Sequence, residues 1–308
     1  MLEAQPNFGQ LKTALTYQES RKLLVHRLWN GYMLTQNNKQ AMHTNIRNAL
    51  AFLLLGASAF GSSAQSVNQS DGDWIKLFNG QNLDNWQVKF TGQPLGINYR
   101  DTFRVEDGLL TVSYENWDGF NNEFGHLFYD QVFSHYLLRV EYRFIGEQVN
   151  QGPGWAYRNN GMMLHSQDPG TMTVPQEFPV SIESQLLGGN GSDPRTNLNV
   201  CTPGTNMVIQ GELITQHCTD SSSGTFHGDQ WVTVELEVRG SESLTHRING
   251  EIVFELEDIQ LDSTDADAQA LITNGSDIIL KEGYVAIQAE SHPTQFRAIE
   301  LLPLTKTE

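Results

Sequence analysis

The 308-residue chain offers four side chains, close together in sequence, that could move a proton and hold a charge: Arg143, His165, Glu183 and Gln185. A carboxylate and an imidazole can serve as general base and general acid. A guanidinium and a carboxamide can donate to a developing oxyanion or to hydroxyls. Acid–base chemistry on an oxygen-rich substrate is what such a set suits, provided that the backbone brings the four to one surface.

Three strand-like runs carry them. In Tyr136 to Ile145, Leu138, Val140, Tyr142 and Phe144 alternate with Arg139, Glu141 and Arg143. In Phe178 to Leu187, Val180, Ile182, Ser184 and Leu186 alternate with Ser181, Glu183, Gln185 and Leu187. A period of two puts one set on an apolar face and the other on a polar one. The middle run, Asn159 to His165, follows a Gly-rich loop. Side by side in an antiparallel sheet with one wet face, the three runs would make one polar surface from the concave side of a sheet. Asn160, Glu141, His292 and Arg297 are further candidates, being on or beside strand ends.

The formal charge of −17 disfavours nucleic acid and anionic membranes as partners. From Met42, Arg47 forms a basic n-region, Ala49 to Phe60 an apolar h-region and Ser62-Ser63-Ala64 a small-residue cleavage site, the order of a secretory signal peptide. Residues 1–41 are then an over-extended reading of the gene, residues 42–64 the signal and residues 65–308 one domain. The other reading is a genuine extension with a buried helix. No Cys follows the h-region, so no lipid anchor is indicated. Residues 1–64 hold six Lys or Arg against two Asp or Glu, so the exported remainder is more acidic still. In a periplasmic or secreted protein Cys201 and Cys218 can persist as a disulfide; two unrelated buried thiols are the alternative.

After residue 65 no long helical period occurs. Short runs with turn punctuation follow one another, with hairpins expected around Glu106-Asp107-Gly108 and Asn249-Gly250. A first strand is expected over Asp73 to Phe78. A long irregular stretch covers residues 188–230, and an acidic loop or helical turn covers Asp258 to Asp277. This pattern predicts an all-β jelly-roll sandwich.

The order Leu77-Phe-Asn-Gly80, Leu83-Asp-Asn-Trp86, Phe103-Arg-Val-Glu-Asp-Gly-Leu109, Leu138-Arg-Val-Glu-Tyr-Arg143, Asn160-Gly161, Ile182-Glu-Ser-Gln185, Asn249-Gly250 and Gly283-Tyr-Val-Ala-Ile-Gln288 resembles the 3-keto-disaccharide hydrolase family. The resemblance covers residues 73–304. It implies a concanavalin A-like (laminin-G/glucanase-type) β-sandwich and an exported protein acting on 3-keto-glycosides as lyase or hydrolase. In such a sugar the C2 proton is acidified; its removal gives an enediolate that can expel the C1 substituent, after which water can add. Glu183 and His165 would be base and acid, in either order. Arg143 and Gln185 would hold the oxygens. Trp155 in the Gly-rich loop would stack on a sugar face or cover the sandwich edge.

Other readings stay open. Glu183 and Arg143 could form a cross-strand salt bridge, His165 could be structural, and Glu290-Ser-His292 before Pro293 could be a turn. A non-catalytic carbohydrate-binding module would keep the fold and need neither Glu183 nor His165. A retaining glucanase needs paired carboxylates, but in the comparable strand Gln185 stands where the second would be. A calcium-dependent adhesion domain lacks its ligand spacing in Asp262 to Asp267. No cofactor is implied. Glu141, His165, Glu183 and His292 include metal-ligand types, but no spacing makes them a site, and the metal requirement is open.

Overall fold

The computed structural model describes residues 73–306. The N-terminal extension and signal read from the sequence lie outside the described residues. In chain order the strands are β1 (Ile75–Lys76), β2 (Trp86–Phe90), β3 (Phe103–Glu106), β4 (Leu109–Val112), β5 (Gly125–Phe133) and β6 (His135–Phe144). They continue with β7 (Asn159–Ser166), β8 (Ile182–Leu187), β9 (Val200–Cys201), β10 (Thr205–Ile209), β11 (Glu212–Ile214) and β12 (Cys218–Thr219). The last five are β13 (Val232–Arg239), β14 (Ser243–Ile248), β15 (Glu251–Leu261), β16 (Gly283–Ala289) and β17 (Thr294–Pro303). Among the described residues one α-helix, α1 (Ala266–Thr273), starts at Asp265, whose side chain accepts from Ala268 N at 2.9 Å.

Two antiparallel sheets stack as a concanavalin A-like jelly roll. The larger runs β11-β10-β15-β14-β13-β6-β17-β4-β3, with β1 on β17; the smaller runs β12-β9-β8-β7-β16-β5-β2. Alternate residues of both sheets meet in one core. Leu138, Val140, Tyr142 and Phe144 of β6 face Met162 and Leu164 of β7, Ile182 and Leu186 of β8, and Val285 and Ile287 of β16. Ser184 also points inward, where its hydroxyl shares a hydrogen bond of 2.8 Å with His246 Nε2 of β14.

The turn chemistry is local. Asp107 and Gly108, then Asn249 and Gly250, adopt positive φ, as a tight hairpin requires. The expected first strand shrinks to β1, and residues 188–230 are less irregular than their composition suggests, because β9 to β12 lie within them. The larger correction concerns the three runs. They do not lie side by side: β6 belongs to the larger sheet, β7 and β8 to the smaller. Alternation tells which residues share a face, not which sheet a strand joins.

A strap of residues 167–181 crosses the outer face of the smaller sheet. Its Met172 packs on Phe128, Met163 and Ala286. Its far end is tied down where Gly92 N donates to Val174 O at 2.8 Å and the buried Lys89 Nζ donates to Phe90 O and Val174 O. The strap covers part of that face and leaves the rest open as a cleft.

Candidate functional site

The cleft has a volume of about 560 Å³ and is floored by outward-facing residues of β7 and β8, with the turn after β16 beside them. Glu183 and Gln185 project into it from β8, Asn159 from β7, and Glu290 from the turn after β16. Trp155, Phe178, Leu187 and Pro203 supply apolar walls, and Arg195, Asn199, His217 and Asp220 polar ones. Trp155 is 55% exposed, with its ring stacked on Phe124 at 5.8 Å between centroids. The Cys201–Cys218 disulfide forms another part of the wall, bridging paired residues of β9 and β12.

Glu183 is the chemical centre. It is 6% exposed, and its Oε1 has no hydrogen-bond partner. Desolvation pushes its pKa up to about 8, against an opposing pull from the Gln288 amide beside it. Both side chains lean over Gly161: a Cβ there would collide with Glu183 Oε1 and stand 2.6 Å from Gln288 Oε1. Glycine is required here for space, not for a special φ. Glu290, only 2% exposed, is raised well above the usual carboxylate range by burial and by the charge of Glu183, with Arg195 opposing. It is held in place through Ser291, whose N–H donates to the Tyr114 hydroxyl at 2.6 Å and whose carbonyl accepts from Val149 N at 3.0 Å.

Arg195 is a clamp as well as a charge. Nη1 donates to the carbonyls of Tyr157 and Gly188, and Nη2 to that of Trp155 at 3.0 Å. These bonds fix the loop that presents the tryptophan. Cys201, His217 and Cys218 have ligand atoms within 4.8 Å of one another, but both sulfurs are committed to the disulfide.

Several residues singled out in the sequence are elsewhere. His165 sits within an irregularity in the β7–β16 register, between Met163 and Ser166, with φ +46°. The alternation breaks there, and the buried ring turns to Gly240 O, 2.8 Å from Nε2, between β13 and β14. Burial lowers its pKa. Arg143 lies on the outer face of the larger sheet. It donates to Gln295 Oε1 and stacks over Trp231 at 4.6 Å. Glu141 and Arg297 pair on that same face, and Arg297 also covers Trp231. A salt bridge between Glu183 and Arg143 is therefore impossible: the two occupy opposite outer faces of the sandwich.

Asn160 points into the core, where Nδ2 donates to Gln288 O at 2.8 Å and Oδ1 accepts from Gly161 N. It stitches β7 to β16 rather than meeting a ligand. His292 is buried edge-on against Phe144 and Tyr157, and burial together with Arg158 lowers its pKa to about 4. It does not line the cleft. Conversely, Glu290 and Gln288 were not among the candidates, although the period of two that marked β8 also operates in β16. Val285, Ile287 and Ala289 face inward, so Ala286, Gln288 and Glu290 face out.

Residues 73–302 match the sequence pattern of the 3-keto-alpha-glucoside-1,2-lyase-like domain. No curated protein sequence matches the chain. Among solved structures, the chain is similar to a Parabacteroides distasonis protein provisionally named a glycosyl hydrolase. The identity is 17%, 75% of this chain and 94% of that one are covered, and the TM-score is 0.44. It is also similar to a Bacillus licheniformis β-glucanase (9% identity, 77% and 100% covered, TM-score 0.42). A third is the carbohydrate-binding module CBM66 of Bacillus subtilis (9% identity, 62% and 84% covered, TM-score 0.35).

Proposed function

The chain belongs to the 3-keto-alpha-glucoside-1,2-lyase-like domain family, and from that premise we propose that its cleft eliminates the C1 substituent of a 3-keto-glycoside. The observation that carries this reading is the pair of buried carboxyl groups, Glu183 and Glu290, in one cleft beside an exposed tryptophan. Glu183, whose charged form the Gln288 amide favours and whose charge keeps Glu290 protonated, takes the C2 proton. The electron pair moves into the C2–C3 bond and places charge on the C3 oxygen. The unpartnered Nε2 of Gln288 and the Gln185 amide are the donors to that oxygen and to the sugar hydroxyls. Return of the charge re-forms the ketone, makes the C1–C2 double bond and breaks the C1–O bond. Glu290, still protonated, gives its proton to the departing oxygen. Water adding across C1–C2 would turn lyase outcome into hydrolysis. Glu290 takes the role that the sequence suggested for His165.

Glu183→Gln is expected to lower turnover of a 3-keto-glucoside at least about a hundredfold, the usual scale for losing an acid–base group, with binding reduced less. Equal turnover by wild type and variant would remove Glu183 from the chemistry. Saturable sugar binding by a wild type that consumes no 3-keto-glycoside would make the domain a carbohydrate-binding module.

We further propose that the protein works outside the cytoplasm, with a mature start near Gln65 and without binding nucleic acid. The Cys201–Cys218 bridge supports an oxidising compartment. Among the described residues no helix is long and apolar enough to cross a membrane. N-terminal sequencing of the native exported protein decides the start, and a mature N-terminus within residues 1–41 would contradict it.

A further inference from the structure

We infer that Glu183, Gln288 and Glu290, with Asn159 beside them, hold a hard divalent cation in the floor of the cleft. Four buried oxygens there have no partner: Glu183 Oε1, Gln288 Oε1, Glu290 Oε2 and Asn159 Oδ1. Buried polar atoms are nearly always paired, so a cluster of unpaired acceptors calls for something that supplies positive charge. Gln288 is the independent sign. It is fully buried, its amide lies beside Glu183, and neither amide atom has a hydrogen-bond partner of good geometry. Its oxygen converges with Glu183 Oε1 on the space that Gly161 leaves free of a side chain.

The neighbouring cations do not meet the need. Arg195 donates to the backbone carbonyls of Trp155, Tyr157, Arg158 and Gly188, and Lys89 to those of Phe90 and Val174. The ligand atoms are all oxygens, two of them from carboxyl groups, which suits Ca²⁺, Mg²⁺ or Mn²⁺ rather than a thiophilic metal. The rest of the coordination shell opens to the cleft, where water would complete it, and the ion takes the place of the proton that Glu290 carries in the proposed reaction. The binding of the ion does not rest on the 3-keto-glycoside reading.

Isothermal titration of the EDTA-treated, dialysed protein with CaCl₂, MgCl₂ and MnCl₂, without sugar, tests the site. At least one ion should bind saturably at about one per chain and raise the melting temperature. Glu183→Gln and Gln288→Leu, each checked for native circular dichroism, should each weaken that binding at least about tenfold. No saturable binding by any of the three ions, or unchanged binding in both folded variants, overturns the inference. Turnover of a 3-keto-glucoside by a protein that binds none of the three ions would overturn the site while leaving the proposed reaction standing. A bound ion without turnover would do the reverse.

Discussion

At the scale of residues, Glu183 couples function to stability through its environment. Its pKa is raised to about 8 by burial, whereas in the unfolded chain it titrates in the ordinary carboxylate range. Between those values the unfolded state releases a proton that the folded state keeps. Stability therefore falls as pH rises from about 4.5 to about 8 and levels off above. Replacing Glu183 by Gln removes that loss. In EDTA-treated protein, Glu183→Gln should raise the melting temperature by a few degrees at pH 8 and change it little at pH 5, measured by calorimetry. A variant that melts below wild type at pH 8 would show that the carboxylate is stabilised in the fold. Activity should run in the opposite sense, because the base must be ionised: wild-type turnover should climb with pH toward about 8. A profile flat from pH 5 to pH 8 would put the base elsewhere. The local alternation of β8 is enough to place Glu183 and Gln185 opposite Ile182 and Leu186. It says nothing of burial, so the unusual acidity of Glu183 was not legible in the sequence.

At the scale of elements, what could be read was each strand's own pattern, and what could not was its neighbour. Arg143, His165 and Glu183 lie on strands consecutive in the chain, yet Arg143 lies on the other sheet and His165 is turned by a break in the β7 register. Glu290 was in view only as part of a turn, because its outward direction depends on continuing the β16 alternation one residue past the strand. The disulfide belongs to this scale too. It joins the short edge strand β12 to its neighbour β9 and lies in the cleft wall. With a sequence separation of 17, loop closure assigns it about 3 kcal/mol. The Cys201→Ser/Cys218→Ser double variant should lose up to about that much in urea unfolding and bind sugar more weakly. Unaltered stability and unaltered binding together would show that the β9–β12 wall is held by its hydrogen bonds alone. Gly161→Ala tests the floor: it should leave the sandwich folded, as judged by circular dichroism, while abolishing turnover, since the added methyl occupies the space shared by Glu183 and Gln288. Retained turnover would mean that this space is not used.

At the scale of the whole molecule, the two-sheet architecture follows from many short amphipathic runs and from turn residues with positive φ, features that are local and hence legible. The cleft is not local. It exists because the 167–181 strap covers one part of the smaller sheet's outer face and leaves another open, and because loops from three parts of the chain bring Trp155, Arg195 and Glu290 around Glu183. The central claim is that this cleft removes the C2 proton of a 3-keto-glycoside. Proton NMR of a 3-keto-glucoside incubated with the protein in D₂O reports on it directly. Wild type should erase the C2–H signal as the C1 substituent is released, and Glu183→Gln should leave that signal in place at least about a hundred times longer. Persistence of C2–H while wild type releases the C1 substituent, or its equal loss with the variant, would contradict the account.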